Sequence, residues 1–246
     1  MPRCAPGFVR VTLRTDTWRH DMQLVDEGSL ALTLDAVNEA LFLGRRIPRS
    51  ARTEVAVWIT GRQGMPGAYA DMFAPTESDF LESRVFTGEA IASRAATGHI
   101  LGEEAMRTLQ LLGVKTPEVR AALARAKEGM EARVADTASQ PMGMYCCGTC
   151  SCAYCRSLAA GGLSHAEARL AQGMKDMKAS RLGTGKWRFF PFFYAVLALT
   201  EIDLPGARAE LRYAAPVLER HLRRTATDNV ISRRRHAVAE RALALC

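Results

Sequence analysis

Apolar residues recur at helical spacing through most of the chain, and this periodicity predicts a succession of amphipathic helices. Residues Leu30, Leu34, Val37 and Leu41 mark the first of them, which ends before Gly44. The segment 62–77 contains two glycines and two prolines, so a structured loop is expected there. Helices are predicted at 30–41, 50–60, 89–112, 117–134, 149–160, 164–181, 192–200, 206–223 and 228–244.

Capping residues sharpen several of these boundaries. Ser50 is the expected N-cap of the second helix, and Thr116 followed by Pro117 opens the helix at 117–134. Gly113 closes the helix before it. The sequence Ser-His-Ala-Glu at 164–167 has the spacing of a capping box, which predicts Ser164 as an N-cap.

About eight to ten helices with short links, and no β–α–β alternation, predict an all-α fold of antiparallel helical hairpins. We expect at least about 55% of the residues to be helical. Residues 30–246 are interpreted as a single helical domain. Residues 1–29 are interpreted as an N-terminal arm. Apolar residues alternate weakly over Phe8–Leu13, which suggests a short strand there.

Two segments share one pattern, in which a helix ends at a basic residue, passes through glycines and reaches an aromatic residue. They run from Trp58 to Tyr69 and from Met177 to Trp187. The pattern resembles the repeat of terpenoid cyclases and protein prenyltransferases. That resemblance implies an α/α toroid, in which Trp58, Tyr69 and Trp187 are packing residues at the junctions of hairpins. The family's aspartate-rich motif and zinc ligands cannot be placed here, so the resemblance extends to the fold and not to the chemistry.

Composition indicates the class of the protein and the compartment expected for it. Hydrophobic residues make up 48% and charged residues 24% of the chain, which is typical of a globular protein. The longest apolar stretch, Phe189–Leu199, is interrupted by Pro191 and is too short to span a bilayer. Residues 1–20 contain no apolar run like that of a secretory signal, so we expect a cytoplasmic protein whose cysteines are thiols or metal ligands.

Five of the seven cysteines fall within ten positions, from Cys146 to Cys155. Cys147 and Cys150 form one C-x-x-C pair, and Cys152 and Cys155 form a second. Such pairs can hold zinc or an iron–sulfur cluster, or they can exchange a disulfide. If a helix begins near Thr149, its dipole is expected to lower the pKa of Cys150 or Cys152.

The alternative is that these cysteines are small apolar residues in a closely packed helix. Four ligands within nine residues strain the backbone around a single zinc ion, and convergence requires a non-helical chain before Cys152. A helix already formed at Cys150 therefore favours packing. In that case Cys147 and Cys150 are the pair expected to be reactive.

Two further groups carry candidate chemistry. His99 and Glu103 stand four residues apart on a predicted helix and could bind a metal or transfer a proton, with a surface helix pair as the alternative. The net charge is +7, and residues 205–246 carry nine arginines against four acids. A basic face there could bind anions such as nucleic acid, although a solvated surface is the simpler interpretation. The arginines concerned are Arg220, Arg223, Arg224, Arg233, Arg234 and Arg235.

The leading functional hypothesis is a helical-repeat protein that binds an apolar small molecule or peptide, and the resemblance implies that it is similar to the terpenoid cyclases or prenyltransferases. Its site is expected to be a cavity among the helices at 89–112, 146–160 and 190–200. One alternative is a thiol-redox or metal-binding protein that uses the cysteines at 146–155. Another, not favoured, is a nucleic-acid-binding module that uses the basic C-terminal helices. The sequence does not decide whether the protein is an enzyme.

Overall fold

A computed structural model describes residues 23–136, 143–223 and 228–246, and within these ranges it contains ten helices and no strands. Helix accounts for 65% of these described residues, so the predicted all-α class and helical content are confirmed. The strand suggested for Phe8–Leu13 lies outside the described residues. The helices are α1 (Leu30–Phe42), α2 (Arg49–Gly61), α3 (Glu77–Leu81), α4 (Arg94–Leu112), α5 (Pro117–Asp136), α6 (Gly148–Ala159), α7 (Ala166–Ala179), α8 (Phe192–Glu201), α9 (Pro205–Leu222) and α10 (Val230–Ala244).

Three helices, α4, α6 and α8, form the buried centre of the molecule. Helix α6 packs against both α4 and α8, and most of its residues are inaccessible to solvent. Helices α1, α2 and α5 pack on α4, whereas α9 and α10 pack on α8. Buried helices of this kind tolerate apolar residues on every face, as in α8. Within the described ranges, no helix is both long and apolar enough to cross a membrane.

The segment before α1 is built into the core. Leu24 and Val25 are buried. The buried Asp79 carboxylate accepts hydrogen bonds from the Ser29 hydroxyl at 2.6 Å and from the Leu30 amide at 3.0 Å. A carboxylate at this position satisfies amides that the first turn of a helix leaves unpaired. Residues 23–29 of the predicted arm therefore pack with the helices.

Several predicted boundaries are wrong for identifiable reasons. Ser50 lies inside α2, because the helix begins at Arg49 with Pro48 as its N-cap. Ser164 is not an N-cap either, since α7 begins at Ala166 after His165 in a left-handed conformation. The helix predicted from 89 starts only at Arg94, after an antiparallel bridge between Arg84 and Ala90. Helix α3 was not predicted at all.

The two segments that resemble each other in sequence also close in similar ways. An antiparallel bridge joins Gln63 to Phe73 after α2, and another joins Arg181 to Trp187 after α7. Trp187 is buried, and its indole N–H donates to Glu210 at 2.8 Å. Trp58 and Tyr69 are partly buried and pack against the core, as expected of packing residues, although less completely than Trp187.

Candidate thiol centre

The first turn of α6 positions a pair of thiols. Cys147 is the N-cap residue, and its Sγ accepts a hydrogen bond from the Cys150 amide at 3.4 Å. The turn is fixed from outside by the backbone of Phe189, because a Cβ at Gly148 would lie 2.0 Å from the Phe189 carbonyl oxygen. Glycine is required at this close approach.

The two sulfurs of the first C-x-x-C pair lie side by side. Cys147 Sγ and Cys150 Sγ are 3.3 Å apart, although Cys147 is exposed and Cys150 is buried. A disulfide has a sulfur–sulfur distance of about 2.05 Å, so small side-chain movements suffice to form the bond. The predicted reactive pair is thus well placed for thiol chemistry.

Two residues that the sequence did not associate with this pair complete the group. His99 on α4 places its Nδ1 3.9 Å from Cys150 Sγ, across 51 residues of sequence. Cys146, which precedes the helix in a left-handed conformation with φ of 54°, brings a third sulfur. Ligand atoms of His99, Cys146 and Cys150 all lie within 4.8 Å of one another. We call His99, Cys146, Cys147 and Cys150 the thiol centre.

Burial dominates the electrostatics of the thiol centre. It raises the pKa of Cys150, and the neighbouring Cys147 raises it further. Burial also raises the pKa of Cys152. The expectation that the helix dipole lowers the pKa of Cys150 or Cys152 is therefore wrong. Burial lowers the pKa of His99, which favours a neutral imidazole beside Cys150.

Aromatic rings enclose His99. The Tyr69 ring lies 3.9 Å from the imidazole between ring centroids, and the Tyr145 ring lies 5.5 Å away. The two tyrosine hydroxyls are hydrogen-bonded to each other. Burial raises the pKa of Tyr145, so its hydroxyl stays protonated near neutral pH. These rings restrict the orientations available to the imidazole.

The second C-x-x-C pair belongs to the core. Cys152 and Cys155 are buried on the regular part of α6. Cys155 Sγ lies 3.9 Å from the Gly143 carbonyl, and burial raises its pKa to about 12. Helix α6 is already formed at Cys150, which is the arrangement that favours packing. Among the described residues, the metal-competent group is the one that contains His99, so the predicted set of Cys147, Cys150, Cys152 and Cys155 does not converge.

Glu103, predicted together with His99, lies deeper in the molecule. Its side chain is 1% exposed, and neither carboxylate oxygen has a hydrogen-bond partner among the described residues. Burial raises the pKa of Glu103 to about 7, against a smaller opposing effect of the neighbouring Ser157 hydroxyl. The alternative of a surface pair is therefore wrong for Glu103.

Beside the thiol centre, an ion network joins four helices. Arg156 on α6 donates to Glu201 at 2.9 and 3.0 Å and to Glu104. Arg107 also donates to Glu201, at 2.7 Å. Two arginines and two glutamates balance in charge, as buried ions require. The network consists of Asn38, Glu104, Arg107, Arg156, Tyr194 and Glu201.

The space predicted to hold an apolar ligand is largely filled by this network. A cavity near Glu104 and Tyr194 has a volume of about 20 Å³, which is enough for one water molecule. A larger surface depression of about 300 Å³ lies elsewhere, beside Leu41, Arg52 and Leu112. Neither cavity supports the apolar-ligand hypothesis, which stays a prediction.

The C-terminal arginines differ in how they are used. Arg234 binds Asp35 at 2.7 Å and also Glu39, while Arg235 donates to the Thr87 carbonyl at 2.8 Å. Arg233 forms an exposed pair with Asp228. Arg220 and Arg223 are exposed at the end of α9, and Arg224 lies outside the described residues. The face is basic, but Arg234 is already occupied by carboxylates of this chain.

These features were compared with those of known proteins. No family model matches this chain. Searches of curated proteins and of solved structures also found no match. The function is therefore argued from the chemistry of the thiol centre.

Proposed function

We propose that the protein is a thiol–disulfide exchange protein whose reactive pair is Cys147 and Cys150. The observation that carries the proposal is the 3.3 Å separation of an exposed N-cap sulfur and a buried sulfur. Cys147 is the member of the pair that a substrate can reach, and its Sγ accepts the hydrogen bond of the Cys150 amide at 3.4 Å. Cys147 is therefore the attacking thiolate, and Cys150 is the resolving thiol.

The exchange proceeds in two balanced steps. The Cys147 thiolate attacks one sulfur of a substrate disulfide, whose S–S bond breaks and releases one thiolate. The Cys150 thiol then gives its proton to His99 and attacks Cys147 Sγ, which breaks the mixed disulfide and releases the second thiolate. The substrate gains two electrons, and a cellular thiol reductant restores the Cys147–Cys150 dithiol.

The raised pKa of Cys150 supports this order of events. While Cys147 carries a negative charge, that charge and the burial of Cys150 keep the second thiol protonated. Once Cys147 is in a mixed disulfide, its charge no longer raises the pKa of Cys150, and only burial still opposes removal of the Cys150 proton. His99 Nδ1, 3.9 Å from Cys150 Sγ, is placed to take the proton. Because recycling needs thiol reductants, the proposal includes the cytoplasm as the location.

The test is a redox titration of a Cys4→Ser, Cys246→Ser background, which leaves only the five clustered cysteines. After equilibration in glutathione buffers, alkylation and mass spectrometry are expected to find one disulfide, between Cys147 and Cys150. Cys150→Ser is expected to trap a mixed disulfide on Cys147, whereas Cys147→Ser traps none. A disulfide at Cys152 or Cys155, or no disulfide under oxidising conditions, contradicts the proposal.

A repeat architecture is a separate proposal about the fold. We propose that the bridged turns after α2 and α7 are copies of one helix–turn–aromatic unit, as in the α/α toroids of terpenoid cyclases and prenyltransferases. The support is that each turn closes through an antiparallel bridge. An experimental structure in which the two units superpose poorly would exclude the repeat.

A further inference from the structure

The thiol centre draws its potential metal ligands from two separate parts of the chain. His99 comes from α4, Cys146 precedes α6, and Cys150 lies in the first turn of α6. His99 thus supplies a ligand from a separate helix, beside three sulfurs that all lie within residues 146–150. The thiol centre also combines thiolate and imidazole, the donor types that zinc prefers in proteins.

The distances are close to those of a tetrahedral site. With Zn–S bonds of about 2.3 Å and Zn–N bonds of about 2.0 Å, neighbouring ligand atoms stand about 3.5 to 3.8 Å apart. Cys150 Sγ is 3.9 Å from His99 Nδ1 and 3.3 Å from Cys147 Sγ. The group of His99, Cys146 and Cys150 spans no more than 4.8 Å. Contraction by about 1 Å thus suffices for His99, Cys146 and Cys150, whereas Cys147, which lies outside this group of three, has to turn its sulfur towards them.

We propose that the reduced protein binds one Zn²⁺ through His99, Cys146 and Cys150, with Cys147 as the fourth ligand. Cys146 and Cys147 are exposed, which gives the ion a path into the site. The rings of Tyr69 and Tyr145 both pack against the imidazole of His99. Cys152 and Cys155, the second C-x-x-C pair, are not ligands of this site, because they remain in the core.

Zinc binding and disulfide formation exclude each other, and this part of the inference rests on the proposed function. A low-molecular-weight disulfide, such as oxidised glutathione, accepts two electrons from the Cys147 and Cys150 thiolates. It leaves as two thiolates, while a protein disulfide forms and two zinc ligands are lost. Oxidation of the pair therefore releases the ion.

The site is tested on the Cys4→Ser, Cys246→Ser background, reduced, treated with a chelator and kept free of oxygen. Titration with Co²⁺ is expected to reach one ion per chain and to give the intense absorption of a tetrahedral thiolate complex. Competition with a chromophoric chelator then gives the zinc affinity. We expect His99→Ala, Cys146→Ser and Cys150→Ser each to weaken binding at least about tenfold. Cys147→Ser is expected to weaken it as well.

Cys152→Ala is the matched control, because it removes a thiol from the same helix without touching the site. It is expected to bind cobalt like the background, with circular dichroism confirming that each variant is folded. Absence of a stoichiometric tetrahedral complex overturns the proposal, as does an equal loss in Cys152→Ala. Zinc binding without a Cys147–Cys150 disulfide would retain the metal site and reject the exchange function. A disulfide without zinc binding would do the reverse.

Discussion

Ionisation of the buried Glu103 carboxyl opposes folding. Its carboxylate is buried without a hydrogen-bond partner among the described residues, and burial raises its pKa from 4.5 to about 7. Below pH 4.5 the carboxyl is protonated in both folded and unfolded chains. Between pH 4.5 and 7 the unfolded chain loses the proton and the folded chain keeps it, so stability falls as pH rises.

We therefore expect Glu103→Gln to remove this loss. Urea unfolding at pH 4.5, 6 and 8 measures the free energy of unfolding of both proteins. Over this range the wild-type protein should lose on the order of 3 kcal/mol more than Glu103→Gln. The control is Glu128→Gln on the exposed surface of α5, which should follow the wild-type pH dependence. If Glu103→Gln also shows the wild-type pH dependence, the Glu103 carboxyl is not the cause of the loss of stability.

At the same scale, the sequence could predict the reactive thiols but not their surroundings. The spacing of Cys147 and Cys150 within one turn is visible in the sequence, and the structure places their sulfurs together. His99 is 51 residues away from Cys150, so only the packing of α4 on α6 brings it near. Cys146 was missed because its place depends on a left-handed backbone. Neither the packing of α4 on α6 nor the backbone conformation of Cys146 is marked by a pattern in the sequence.

Helix α6 is stabilised at two points that differ in kind. At its first turn, the backbone of Phe189 packs closely against Gly148, which has no Cβ to obstruct it. Nearer its end, Arg156 is 2% exposed and connects α6 to α4 and α8 through Glu104 and Glu201. Removing one partner of a buried ion pair leaves an uncompensated charge.

We expect Arg156→Met to lower the free energy of unfolding by about 3 to 5 kcal/mol, measured by urea denaturation. Arg208→Met is the control, since Arg208 and Asp203 form an exposed pair worth less than about 1 kcal/mol. Adding Glu104→Gln to Arg156→Met should recover part of the loss, because it removes one of the unpaired charges. Equal effects of the two arginine substitutions would contradict this role.

Helices were easier to predict than their ends. The long periodic segments appear as α4 and α5, and Gly113 closes α4 in a left-handed conformation as expected. The start of α4 was predicted too early, because residues before Arg94 form a bridged turn with partners that no pattern reveals. The N-cap of α1 is shared with Asp79, which is about fifty residues away. Tertiary contacts fix these boundaries.

Across the whole molecule, α10 is tied to α1. The Arg234 guanidinium binds Asp35 at 2.7 and 2.8 Å, contacts Glu39 and lies 4.3 Å from the centre of the Phe86 ring. Arg241 donates to the Phe42 carbonyl at the other end of α1. Composition suggested a basic face for binding other molecules, but the placement of these arginines serves the fold.

We expect Arg234→Ala to cost about 2 to 4 kcal/mol of stability and to speed amide hydrogen exchange in α1 and α10. Its neighbour Arg233, whose pair with Asp228 is exposed, provides the control as Arg233→Ala. That variant should change stability by less than about 1 kcal/mol. Similar exchange rates in both variants would show that Arg234 does not hold the two helices together.

The bonds between Arg234 and α1 span nearly 200 residues of sequence, which has a consequence for biosynthesis. The ribosome synthesises α1 before α10, so Asp35 and Glu39 lack their partner Arg234 while the residues between the two helices are made. Contacts of such long sequence separation form late in folding. The nascent chain therefore carries an incomplete surface on α1 until Arg234 and Arg241 have left the ribosome.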